Sequence, residues 1–178
     1  MMNMILEIKK ITALAFIISA ELVSAQVAIG KQTINGTQTI LDFDDNATNT
    51  KGIILSAVTP LPTSASTSNG TFLFDRTDNK VKVLENNTWK SLSDSGNSAA
   101  LAPNNNTSAE TAGNVIIGAN TSAANGILVL EANNKAMILP KISNPHLTVP
   151  NPYPGMICYD TSSKSLAVFD GSKWNYWK

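Results

Sequence analysis

The sequence predicts an all-β fold: two tandem modules of short strands, each a β-meander, joined by a low-complexity linker. Three observations predict it. The stretch "GTFLFDRTDNKVKVLENNTWKSL" at 70–92 returns as "GMICYDTSSKSLAVFDGSKWNYWK" at 155–178, matching Phe74 to Tyr159, Asp75 to Asp160, Val83 to Val168 and Trp89 to Trp174. Short runs of Val, Ile, Leu, Phe and Tyr alternate with Asn, Gly, Asp and Ser clusters, which is how strands and turns read. No stretch after residue 25 holds the 3.6-residue apolar period of a helix.

In chain order, Lys9 and Lys10 precede the apolar run "ITALAFIISA" (11–20), and Val23 and Ala25 offer small residues at a cleavage position, so residues 1–25 read as a secretory signal peptide. The run is too short to span about 30 Å of hydrocarbon and Glu21 interrupts it, so no membrane span is expected once the leader is removed. The first module, 26–92, opens with "QVAIGKQTINGTQTILDF", which "NVIIGANTSAANGILVLE" answers at 114–131. "KGIILSAVTPLP" at 51–62 is answered by "KAMILPKISNPH" at 135–146, so both copies keep one order of parts through the second module, 114–178. Between them, 93–113 is rich in Ser, Asn and Ala without apolar periodicity and reads as a linker. The Pro-containing connectors 59–70 and 140–155 are excluded from helix interiors.

Within each meander, "RTDN", "NN" and "TSSK" read as turns, and Asp170-Gly171 as a two-residue hairpin turn. Asp75 and Asp160 stand at strand ends, where they are expected to cap their own backbones. "TFLFD" and "MICYD" are apolar on both faces, so an isolated three-stranded sheet would leave a greasy face and open edges in water. Packing between chains around a shared axis relieves this, and so does a compact monomer whose two copies pack face to face. Both remain open at this point.

The net charge is zero with 15% charged residues, and no Lys/Arg cluster recommends nucleic acid or an anionic membrane as partner. With one Cys and one His, no intramolecular disulfide and no multi-Cys or multi-His zinc site can form within a chain. Cys158 sits in an apolar strand and reads as a small buried hydrophobe. His146 has no evident catalytic partner, "DFDDN" at 42–46 lacks EF-hand spacing and reads as a solvated acidic turn, and "VAIGKQT" lacks the second glycine of a phosphate loop. The reading is therefore non-enzymatic, without cofactor or metal. The Asn-x-Ser/Thr triplets, such as Asn69-Gly70-Thr71, read as Asn/Thr-rich loops.

Trp174, Tyr176 and Trp177 are the candidate ligand-binding residues, since exposed rings stack on sugar faces. In a strand, Trp174 and Tyr176 share one face and Trp177 takes the other. The duplicated pair Trp89 and Trp174 reads as packing. Tyr176 and Trp177, without counterparts, are the better surface contacts.

The quoted stretches also carry a resemblance. "VAIGKQTINGTQTILDF" and "VIIGANTSAANGILVLE", each followed by "KGIIL" or "KAMILPKI", and then "GMICYDTSSKSLAVFDGSKW", resemble the modules of phage tail-fibre proteins and of secreted Bacteroidetes surface proteins. The second copy matches more closely, with Pro140 and Lys141 in place, whereas the first has Ser56 for the family's Pro and Phe74 for its Tyr. The resemblance implies a secreted bacterial protein, extracellular or at the cell surface, β-rich and often trimeric. Its implied role is structural or adhesive, toward a surface glycan or protein. Longer relatives end in a self-cleaving chaperone domain. This sequence stops four residues after Trp174, so the expectation is that such a domain is lacking and that any trimer forms unaided. The rival reading is an extracellular carbohydrate-binding protein.

Overall fold

A computed structural model describes residues 26–101, 115–124 and 126–178, so the signal peptide and most of the linker lie outside the described residues. The fold is all-β, accompanied among the described residues by a 3-10 turn at Ser64–Ser66 and a one-turn helix, α1, at Pro145–Thr148. The helix sits in a connector where the sequence excluded helix interiors. Pro145 is its first residue, the one helical position where a missing N–H costs nothing.

The first seven strands are β1 (Val27–Ile29), β2 (Thr39–Phe43), β3 (Ile53–Ile54), β4 (Ala57–Val58), β5 (Phe72–Asp75), β6 (Lys80–Glu85) and β7 (Thr88–Ser91). The remaining seven are β8 (Val115–Ile117), β9 (Leu128–Leu130), β10 (Ala136–Ile138), β11 (Lys141–Ile142), β12 (Met156–Asp160), β13 (Ser165–Phe169) and β14 (Trp174–Trp177).

The two stretches that align in sequence take the same pairings. In the first, β5, β6 and β7 form an antiparallel meander with Phe74 opposite Val81 and Leu84 opposite Trp89. In the second, β12, β13 and β14 place Tyr159 opposite Leu166 and Phe169 opposite Trp174. A short parallel strand extends each meander: Ala57 lies beside Phe74, and Lys141 beside Tyr159. The "RTDN" and "TSSK" stretches are the turns that close the first hairpins, with Asn79 and Lys164 both in the left-handed region.

The remaining strands join the two copies. β2 is flanked by β1 and β10, both parallel to it, so a strand from each copy meets in one sheet. β3 from the first copy pairs antiparallel with β12 from the second, with Ile53 opposite Ile157. β8 and β9 form a separate parallel pair.

The main core lies between the meanders. Phe74 and Val81 from one sheet and Ile157 and Val168 from the other are buried together, with Leu92 and Leu101 closing the cluster. Burial of side chains of this size stabilises by about 1.5–3 kcal/mol each. Leu101 reaches the core because Ser93–Leu101, read in the sequence as the start of the linker, runs between the sheets. The Gly96 N–H donates to the Asn79 carbonyl and the Asn97 N–H to the Asp170 carbonyl, each at 2.8 Å.

The last hairpin departs from expectation. Phe169 pairs with Trp174, so the connection is the four residues 170–173 and not a two-residue turn, and of Asp170 and Gly171 only Gly171 has a positive φ, +93°. The reason is the Asp170 carboxylate, which is buried and accepts from the Ser172 and Lys173 N–H groups at 2.8 Å, holding the longer loop. The first copy closes the corresponding hairpin with the two-residue turn Asn86-Asn87, both residues at positive φ.

Candidate self-association surface

Two features of the meanders set what they can present to a partner: how rigidly the turns hold the strands, and which faces the stacking leaves open. Asp75 and Asp160 hold the turns. The Thr77 N–H donates to Asp75 Oδ1 at 2.8 Å, and the Ser162 N–H to Asp160 Oδ1 at 2.9 Å, so each carboxylate caps the turn that follows it. Asp160 also accepts from the Asn144 N–H at 3.0 Å, which ties the Pro-rich connector to the end of β12. Burial acts to raise both carboxyls. Lys82, whose Nζ lies 2.7 Å from Asp75, and the Ser163 hydroxyl beside Asp160 outweigh it with the turn N–H groups and hold both below the ordinary value. The strand ends are therefore anchored by charge as well as by packing.

The acidic stretch 42–46 is not uniformly solvated. Asp42 is fully buried at the end of β2, where it meets Lys31 Nζ at 2.8 Å and accepts from the Asn35 N–H at 2.7 Å. Asp44 caps the Asn46 N–H, and Asp45 turns to Lys31 and Lys141, so the three carboxylates diverge. Lys31, in the "VAIGKQT" segment, thus has a structural partner that sequence distance concealed.

The C-terminal aromatics lie on β14 as alternation requires, and they do not form one site. Trp174 is half-buried against Phe169, ring centroids 5.4 Å apart, and against the small cluster of Ile142, Cys158 and Ala167. Tyr176 shares that face and is 40% exposed, its hydroxyl 3.1 Å from His146 Nδ1 with the two rings edge to face. Trp177 is 47% exposed on the opposite face, and its indole N–H donates to the Leu92 carbonyl at 2.5 Å. The counterpart of Trp174, Trp89, donates its indole N–H to the Pro62 carbonyl at 2.9 Å. His146, which the sequence left without a partner, is thus paired with Tyr176. Cys158 is fully buried, and burial pushes its thiol up to about 12, with Asp160 adding to the shift.

Sequence reasoning did not single out two further exposed rings. The meanders stack out of register: Phe74 and Val81 of the first sheet lie on Ile157 and Val168 of the second. Each sheet therefore leaves one ring exposed at an end of its inner face, while the neighbouring Val83 and Leu166 border the core. On the first sheet that end carries Phe72, 37% exposed, and on the second Tyr159, 36% exposed. The signal was present in the apolar-on-both-faces pattern of "TFLFD" and "MICYD", but which end stays open depends on the stacking offset.

Comparison with known proteins bears on this same sheet. Residues 116–178 match the family model of the phage tail like trimerisation region. The matched residues span most of β8 and all of β9 to β14, including the second meander and the exposed Tyr159. It supports the tail-fibre resemblance. No curated protein and no solved structure matches the chain. Among the described residues, no helix is long and apolar enough to cross a membrane.

Proposed function

We propose that this chain is a secreted, non-enzymatic structural protein of the tail-fibre type, built from two tandem β modules, which self-associates into a trimer and presents repeated rigid surfaces to a partner. The match of residues 116–178 to the phage tail like trimerisation region carries the reading. Rigid, short-looped meanders suit it, because contact by several copies raises avidity without any single deep pocket. The partner is a surface glycan or protein outside the cell, reached through the signal peptide at residues 1–25. The test is the absolute mass of the chain from Gln26 to Lys178 by light scattering across a dilution series. A stable mass of three chains is expected, and one chain at every concentration overturns the reading.

A second reading is carbohydrate binding by the C-terminal strand, favoured by the exposure of Tyr176 and Trp177. Since these rings point to opposite faces, each serves as a separate platform. Glycan binding lost in Trp177→Ala, with the fold retained, supports it. Binding unchanged in both Trp177→Ala and Tyr176→Ala removes it.

A further inference from the structure

Two strand edges and one sheet position that are covered in one copy of the repeat have, among the described residues, no covering partner in the other copy. On the outer edge of β12, β3 pairs with Met156 and Ile157 while β11 pairs with Tyr159 and Asp160. On β5, β4 occupies the place of β11, but among the described residues no strand pairs outside Thr71 and Phe72, the counterparts of Met156 and Ile157. Burial follows this difference: Ile157 is 3% exposed, whereas Phe72 is 37% exposed.

The occupant of the β12 edge is the "KGIIL" strand of the first copy. Its counterpart is β10, in "KAMIL", which pairs with β2 along one edge and, among the described residues, has no strand on the other. The second unfilled edge belongs to β9. Its counterpart β2 is flanked by β1 and β10, yet β9 is flanked by β8 alone among the described residues, leaving Leu128 exposed. The face completes the set: Phe74 and Val81 pack with Ile157 and Val168, and Val83 and Leu166 border the same cluster, whereas Phe72 and Tyr159 stay exposed.

We infer that a second copy of this chain fills all three, by repeating between chains the relation that holds between the two copies within one. β10 of one chain pairs with the Thr71–Phe72 edge of the next, Met137 opposite Phe72 and Ile138 opposite Thr71. The next chain's β3 covers β9. Tyr159 packs on the next chain's Phe72. One operation accounts for all three, and each chain uses different surfaces toward its two neighbours. Such a contact is head-to-tail and closes into a ring when its rotation permits. The inference rests on the self-association reading and specifies its surface.

One substitution alters the fit between chains. A Cβ at Gly52 would lie 2.7 Å from Met156 Cγ and 2.8 Å from the Ile157 carbonyl, so β3 approaches β12 closely there. β10 carries Ala136 at that place: the shorter Thr71 relieves the side-chain contact, and the strand shifts outward from the Phe72 carbonyl there, so the pairing is centred on Met137 and Ile138.

The test uses the full chain, expressed with its own N-terminus and processed by the host. Phe72→Glu and Tyr159→Glu are each compared with the parent by light scattering, with far-UV circular dichroism as the control for folding. In a separate variant, Thr71→Cys with Ile138→Cys places two thiols at a facing pair between ladder hydrogen bonds, where Cβ atoms come close enough for a disulfide. The expected results are a multimeric parent, single-chain mass for both Glu variants, and an interchain ladder on a non-reducing gel for the oxidised Cys variant. A multimeric parent whose Glu variants keep its mass, with no interchain bond, overturns this surface and leaves the self-association reading standing. An intrachain disulfide overturns it too, since β10 then reaches its own β5. A parent of single-chain mass throughout overturns both. Where a Glu variant loses its fold, the Cys variant decides.

Discussion

Phe74 and Tyr159 stand at the same register position of two matching meanders, opposite Val81 and Leu166 respectively, yet Phe74 is fully buried and Tyr159 is 36% exposed. The local sequence around them is alike. Only the offset at which one sheet lies on the other separates a buried residue from an exposed one, and several measurements follow from that offset.

Phe74→Ala removes the largest fully buried side chain of the core, and closely packed strands cannot collapse around the cavity. A loss of about 3–5 kcal/mol is expected in urea unfolding at constant slope. A shift below about 1 kcal/mol would mean that the sheets do not stack through this residue.

Acid should weaken the fold through Asp75 and Asp160. Both carboxyls lie below their ordinary value of 3.8 in the folded chain. Their contribution is therefore complete above that unfolded value and is lost as pH falls through the lower folded values. The urea midpoint should hold steady from pH 7 to about 5 and drop below about 4. Asp160→Asn removes a charge-assisted acceptor, expected to cost about 1.5–3 kcal/mol at pH 7 and to flatten the acid limb. An unchanged acid limb in that variant would mean that Asp160 does not drive the loss.

The contact between the last hairpin and the first part of the linker is backbone on backbone. A Cβ at Gly171 would overlap the Asn97 carbonyl, and its φ of +93° strains any other residue. Gly171→Ala should cost on the order of 2–4 kcal/mol. A neutral Gly171→Ala would show that 93–101 does not dock there.

Cys158 should resist thiol reagents in the folded chain at pH 8, because a buried thiol raised to about 12 supplies little thiolate. Labelling should appear only with denaturant, in step with unfolding. Rapid labelling of native protein would contradict its burial.

Much of this molecule was legible in one dimension. Repetition and alternation located β5, β6 and β7 and their counterparts, the turns "RTDN" and "TSSK", and the capping of Asp75 and Asp160, because each depends on residues within a few positions of one another. The closing turn was misjudged at Asp170-Gly171, since a buried carboxylate that holds a longer loop looks the same in sequence as a turn residue. Lys31 and Asp42, and Tyr176 and His146, were found only in three dimensions, because nothing local joins residues so far apart.

What the sequence by itself determined was therefore the strand content, the faces of each strand and the turns that close the first hairpin of each meander. The tertiary structure decided which copies share a sheet, pairing β3 with β12 and β10 with β2. It also decided which end of each inner face is covered. The physical reason is that backbone ladders accept any strand of suitable length, and apolar faces any apolar neighbour, so partner choice rests on the packing of the whole. That choice leaves Phe72 and Tyr159 in solvent and buries Ile157 and Phe74.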